Sequence, residues 1–208
     1  EKENEKNVET YLPSSRAEIY KAFISELFKE FTEEKSILSA ENVCSEKENS
    51  ERIIIENILT DLSFKLQCRN KVSCKYKYAL EVAGKYVKYD SSGRYGSSFK
   101  KEARKLLQAC FGLGLLRRKG SEIRLGMHQS HQSFQEYFAA LKWRTYFENG
   151  MDISDAFEHP EWEDVVIFTS ELVESGEELV NSIILSGNLC LASKCAGKTG
   201  PETKEKLC

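Results

Sequence analysis

The sequence predicts a mainly helical chain: a helical subdomain, then a winged helix with one small β-hairpin, then antiparallel helical packing that resembles helical repeats. Two observations carry this prediction. Apolar residues recur at the three-and-four spacing of amphipathic helices over most of the 208 residues. Around Gly120 the spacing changes, and Ile123, Leu125 and Met127 alternate as in a strand. A helix followed by a hairpin, near residues 114–127, is typical of a winged helix.

The first helix is predicted to begin after Pro13. Ser15 and Glu18 have the spacing of a capping box, and an apolar stripe then continues to about Thr32. Residues 33–50 are mostly polar, so we expect an exposed connector there. The next helix follows Ser50, with an apolar stripe that consists of Ile53, Ile54, Ile58, Leu59, Leu62, Phe64 and Leu66.

The remaining elements follow in the same way. A helix is expected over 76–89, a loop over 91–98 and a helix over 99–111, which Gly112 and Gly114 end. The hairpin comes next. Four further helices are predicted: 133–147, one that opens at His159, one that starts near Ser175, and 189–195.

This order predicts three units. Residues 11–90 form the helical subdomain, 91–147 the winged helix and 148–196 the helical region after it. Residues 1–10 and 197–208 are polar and are expected to be disordered tails.

Composition excludes several classes of protein. There are 30 Lys+Arg and 33 Asp+Glu residues, and a net charge of −3 gives no general attraction to nucleic acid or an anionic membrane. No apolar run approaches about 18 residues and the charged N-terminus lacks an apolar core, so we expect a cytoplasmic chain without membrane contact. Seven cysteines cannot all pair within the chain, and no Cys-x-x-Cys occurs, so no metal site is predicted.

Three motifs point to one family. They are Leu12-Pro-Ser-Ser-Arg-Ala-Glu-Ile-Tyr20, His131-Gln-Ser-Phe-Gln-Glu-Tyr-Phe-Ala-Ala140 and His159-Pro-Glu-Trp-Glu-Asp-Val-Val166. In this order they resemble the segment after the nucleotide-binding core, the winged-helix signature and the following helical motif of NACHT-type STAND signal-transduction ATPases. That family includes bacterial defence proteins and animal inflammasome sensors. The second motif is the most specific, and the resemblance extends over residues 11–196.

The resemblance implies a regulatory role. Residues 11–90 would be part of the arc subdomain, and the chain would be a nucleotide-sensing and oligomerisation switch that holds the ADP-bound closed state in an intact parent protein. Its partners would be an upstream nucleotide-binding core, which holds ADP or ATP, and a downstream sensor region. The parent would form a homo-oligomer on activation, in innate immunity or defence.

A phosphate-binding loop is absent from the sequence. Neither Gly-x-x-x-x-Gly-Lys-Ser/Thr nor an apolar strand that ends in acidic residues occurs, and these features hold phosphates and magnesium in such ATPases. We therefore expect the C-terminal portion of a larger switch ATPase, or a truncated gene product. By itself it is not expected to be an enzyme, has no predicted catalytic residue, and should bind ADP weakly at most.

His131 is the main candidate for nucleotide contact. The resemblance implies that this histidine reaches the β-phosphate of ADP, and an imidazole nitrogen can donate to a phosphate oxygen. His128 is a rival, because Gln129 replaces the aromatic residue that the family has two positions before the histidine. The alternative is a histidine that caps the helix or packs on the hairpin. Pro13 is a weaker candidate, near the adenine.

The other motif residues are expected to be structural. Gln135 and Glu136 either bond across subdomains or lie on a solvated helix face. Four residues are predicted to pack in the core: Phe134, Tyr137, Phe138 and Trp162. His159 is predicted to lie in a turn.

Two alternative functions remain. A DNA-binding winged helix would use basic side chains on one helix and on the hairpin, namely Lys100, Lys101, Arg104, Lys105, Arg117, Arg118 and Lys119. The acidic net charge opposes this interpretation, and nucleic acid is not an expected partner. The other alternative is a helical scaffold for protein interaction, formed by the helices after Trp162.

Overall fold

The fold is mainly helical, as the sequence predicts. The computed structural model describes residues 13–38, 45–87, 97–126 and 132–198. In these residues the helices are α1 (Arg16–Leu38), α2 (Ser45–Gln67), α3 (Tyr76–Gly84), α4 (Ser97–Gly112), α5 (Ser133–Glu148), α6 (Glu163–Leu172), α7 (Gly176–Leu185) and α8 (Leu189–Cys195). Short 3-10 helices cover Ser154–Glu158, Pro160–Trp162 and Ala196–Lys198. None of the helices in the described part is both long and apolar enough to span a membrane.

The start of α1 is capped by side chains. The Ser15 hydroxyl accepts a hydrogen bond from the Glu18 backbone N–H at 3.2 Å. The Glu18 carboxylate in turn accepts from the backbone N–H of Ser14 at 2.6 Å. The predicted capping box is therefore present, with its return bond displaced by one residue.

The connector predicted over 33–50 is wrong at both ends. Helix α1 continues to Leu38 and α2 already begins at Ser45, and only residues 39–44 between them lie outside the described residues. Glu and Lys, which dominate both extensions, have high helix propensity although they supply no apolar stripe. Helix propensity therefore accounts for these extensions, which hydrophobic periodicity does not predict.

The predicted hairpin is part of a three-stranded sheet. Strands β1 (Ser73–Lys75), β2 (Leu116–Lys119) and β3 (Glu122–Leu125) lie in the order β1-β3-β2, and both neighbours run antiparallel to β3. Gly120, with φ at +62°, supplies the left-handed conformation that the hairpin turn requires. A strand as short as β1 shows no alternation, so the sequence did not predict it. The sheet joins segments on both sides of the expected boundary at residue 90.

Helices α3 and α4, which precede the hairpin, pack against each other. Helix α3 ends at Gly84, earlier than predicted, and the Phe99 ring of α4 lies 2.8 Å from the position of a Cβ on that glycine. A larger residue at position 84 would therefore require the Phe99 ring to move. Residues 91–96 of the predicted loop 91–98 lie outside the described residues, and α4 already begins at Ser97. Residues 1–10 and 199–208 of the predicted tails also lie outside the described residues.

Helix α5 lies at the centre of the fold. Its most extensive contacts are with α2 and α6, and α1 also packs against it. Six consecutive residues, 135–140, are buried. A helix that is buried at consecutive positions is covered on every side rather than along one stripe.

The C-terminal helices pack on one another and on α6. The predicted starts of the last two helices are confirmed by α7 and α8. Asn188 caps α8, since its side chain accepts from the Leu191 N–H at 3.0 Å and donates to the Phe157 carbonyl at 2.7 Å. Trp162 anchors this region as predicted, with its ring 5.6 Å from that of Trp143, although it lies in a 3-10 turn before α6.

Candidate functional site

The two predicted nucleotide contacts, His128 and His131, lie outside the described residues. The structure describes what flanks them: β3 ends at Leu125 and α5 begins at Ser133. The rest of the His131 motif forms about the first two turns of α5. Pro13 is exposed in front of α1. The described part of the candidate site consists of the motif residues of α5 and their partners.

Gln135 bonds across three segments of the chain. Its buried side-chain amide donates to the side-chain oxygen of Gln67 at 3.1 Å and to the Lys71 carbonyl at 3.0 Å. Gln67, at the end of α2, donates in turn to the Glu161 carbonyl at 2.5 Å. These bonds link α5 to α2 and to the turn before α6. Of the two alternatives for Gln135, the solvated helix face is wrong.

Glu136 is buried beside an ion pair. Arg16 of α1 and Asp164 of α6 approach to 2.8 Å, and the Glu136 side chain is only 7% exposed in their field. Burial and the negative charge of Asp164 raise the pKa of Glu136 to about 7, and Arg16 opposes this change. The solvated-face alternative is therefore wrong here as well, and a titratable carboxyl lies where α1 and α6 meet.

A second contact fixes α1 to α6 at the same end. The backbone N–H of Ala17 donates to the Glu171 carboxylate at 2.7 Å. A carboxylate at the first turn of a helix satisfies an amide that has no partner inside the helix, and it interacts favourably with the helix dipole. The Arg16 guanidinium also lies 4.6 Å from the centre of the Phe168 ring.

The aromatic residues of the motif hold α1 against α5. Tyr20 of α1 lies between the rings of Phe134, Tyr137 and Phe168, at centroid distances of 5.0, 5.5 and 5.3 Å. Tyr137 and Phe138 are buried, and Phe134 is half-buried in the same cluster. Their predicted place in the core is confirmed.

The basic residues of the DNA-binding alternative are all exposed on α4 and β2. Some of them have partners within the chain. Lys105 pairs with Glu102 at 2.9 Å, and Arg118 donates to the Gly120 carbonyl at 2.9 Å while it covers the Tyr76 ring. The sequence therefore locates a basic surface, although part of it is bonded within the chain.

Metal and thiol chemistry find little support in the described part of the chain. No group of three or more His, Cys, Asp or Glu side chains there is placed to hold a metal ion. His159 is exposed in the turn before α6, as predicted. Burial raises the pKa of the Cys110 thiol to about 12 and that of Cys195 to about 11, so these two thiols are poor nucleophiles.

Comparison with known proteins adds no relative. No protein-family model, no curated protein and no solved structure matches this chain. The resemblance to NACHT-type ATPases therefore depends on the three motifs alone.

Loss of the Gln135 amide should destabilise the fold. In Gln135→Ala the Lys71 carbonyl and the Gln67 side chain lose a buried donor, so we expect the free energy of unfolding to fall by about 1–3 kcal/mol. Urea denaturation measures this. Gln132→Ala, which changes an exposed glutamine just before α5, is the matched control. Equal stabilities of the two variants would contradict the buried amide network.

Glu136 should make the protein less stable as pH rises. Its pKa in the folded state, about 7, lies above the ordinary value of 4.5, so the folded chain holds a proton that the unfolded chain has released. The corresponding stability is complete below pH 4.5 and is lost as pH rises to about 7.

Glu136→Gln should remove this pH dependence. Above pH 7 the free energy of unfolding of the variant should be about 1–2 kcal/mol higher than that of the wild type. This figure includes a reduction for solvent screening. Urea denaturation at pH 4.5 and pH 8 checks the difference, with Glu148→Gln, an exposed carboxylate of the same helix, as control. A wild-type slope in Glu136→Gln would refute the assignment.

Proposed function

We propose that this chain is a regulatory segment of a NACHT-type signalling ATPase. In this proposal it converts the nucleotide state of an upstream core into an arrangement of domains, and by itself it is not an enzyme. One observation carries the proposal: the helix that bears the signature motif is also the helix to which α1, α2 and α6 are attached. A contact at the start of α5 would therefore act on all three.

The proposed switch uses His131. In the intact protein His131 would donate to the β-phosphate of ADP in the upstream core and would stabilise the closed arrangement. A ligand shifts a conformational equilibrium only through contacts that differ between the two states. The position of His131, two residues before α5, supports the proposal because Gln135, Glu136 and Tyr137 follow within the first turns of that helix.

The proposal also names cofactors and partners. ADP or ATP would bind in the upstream core, with a downstream sensor region as the second partner. The open form would assemble into a homo-oligomer in the cytoplasm, as part of an innate-immune or defence response.

His131→Ala in the full-length gene product tests the switch. It removes a hydrogen bond to a charged group, worth about 1.5–3 kcal/mol. Because the bond would exist only in the closed state, the closed-to-open ratio should fall roughly ten- to a hundred-fold. We expect faster release of ADP, measured by stopped-flow displacement, and oligomers without the trigger, measured by light scattering.

His128→Ala is the matched control for this experiment. If only the His128 variant releases ADP faster, the other histidine makes the contact. If neither does, or if the full-length product has no phosphate-binding loop, the nucleotide-sensing proposal fails and the scaffold alternative takes its place.

DNA binding is the second candidate, favoured by the seven exposed basic side chains of α4 and β2. Phosphate contacts release counterions, so duplex affinity would fall with salt with a log–log slope of about −0.9 for each contact. Under the first proposal, fluorescence anisotropy of a labelled duplex should detect no such binding. A steep salt dependence would favour the second candidate if Arg104→Glu reduces it. Arg144→Glu, on helix α5, is the control and should leave it unchanged.

A further inference from the structure

A cavity of about 170 Å³ lies where α1, α2, α5 and α6 meet. Its apolar wall consists of Ile24, Phe138, Leu141 and Leu172. An apolar cavity of about 150 Å³ holds benzene in another protein, so this wall and this volume suit a molecule of single-ring size.

One buried polar group faces the same space. Tyr137 lines the cavity, and this residue is only 4% exposed. The charges nearest to that hydroxyl belong to Glu56, Arg144 and Arg52, which also line the cavity. A tyrosine hydroxyl can donate a hydrogen bond to a polar group bound in this space.

The charge of the lining favours an anion. Three cations, Lys21, Arg52 and Arg144, oppose the single carboxylate of Glu56. That carboxylate is neutralised within the wall, because the Arg52 side chain donates to it at 2.9 Å. Arg52 is further held by a bond to the Ser25 hydroxyl at 3.0 Å. Arg144 bonds through its Nε to the Glu148 carboxylate at 3.1 Å. The three cations and their two carboxylate partners therefore leave one net positive charge at the cavity, that of Lys21.

We propose that this cavity binds a small organic carboxylate of about one ring in size. The body of the ligand would pack on the apolar wall, and its carboxylate would accept hydrogen bonds from the Tyr137 hydroxyl and the Arg144 guanidinium. The inference is independent of the proposed function, because it concerns only contacts within the chain. A ligand that binds the folded state alone also stabilises it by mass action.

Benzoate is the probe, and benzyl alcohol is the matched neutral probe with the same ring. Titration followed by ¹H–¹⁵N NMR should show saturable benzoate binding, with shifts at backbone amides of α1 and α5 around Ile24 and Tyr137. Benzyl alcohol should bind at least about tenfold more weakly, since its neutral hydroxyl forms no ion pair with the Arg144 guanidinium.

Tyr137→Phe is the decisive variant, because it removes the hydroxyl and retains the packed ring. It should weaken benzoate about tenfold. Tyr146→Phe, which changes a tyrosine of the same helix away from the cavity, should bind as the wild type does. Leu141→Trp should fill the space and abolish binding. If that variant does not fold, Tyr137→Phe alone decides.

Four outcomes would overturn the proposal. Benzyl alcohol that binds as tightly as benzoate would indicate a plain apolar cavity. Inorganic phosphate that binds as tightly as benzoate would indicate an anion site that does not recognise the ring. Shifts confined to another surface, or unchanged affinity in Tyr137→Phe, would remove the assignment to this cavity.

Discussion

The complete burial of the first turns of α5 is the constraint on which the rest of the structure depends. A helix covered on every side leaves no solvated face for its polar side chains, so each must find a partner inside the protein. Gln135 meets this requirement with acceptors on α2 and in the segment after it. Glu136 lies beside the Arg16–Asp164 pair, and burial raises its pKa to about 7. The α5 motif is therefore linked to distant parts of the chain through the Gln135 amide.

Hydrophobic periodicity predicted much of the fold and failed where other forces decide. It located α5, α7 and α8 because apolar residues recur at helical spacing in each of them. The ends of α1 and α2 depend on the helix propensity of Glu and Lys, which has no period. Strand β1 forms by pairing with the edge of β3. Its three residues are too few for an alternating pattern, so the sequence does not predict this pairing.

The candidate site was predictable to a similar degree. The aromatic residues of the motif were assigned to the core from their spacing alone. For Gln135 and Glu136 the sequence left two alternatives open, because their partners, among them the Lys71 carbonyl and the side chain of Asp164, are distant in the chain. The cavity depends on how four helices meet, and the sequence of any one of them does not encode it.

Helix α1 is the element on which these features converge. Adjacent residues of a helix point about 100° apart, so Glu136 and Tyr137 contact α1 from two directions. Arg16 near Glu136 also joins α6, and Tyr20 stacks on Tyr137 at 5.5 Å. Displacement of α1 would separate the Arg16–Asp164 pair, the Ala17–Glu171 bond and the aromatic cluster together. Contacts that are lost together make the docking of α1 cooperative, because the loss of one weakens the others.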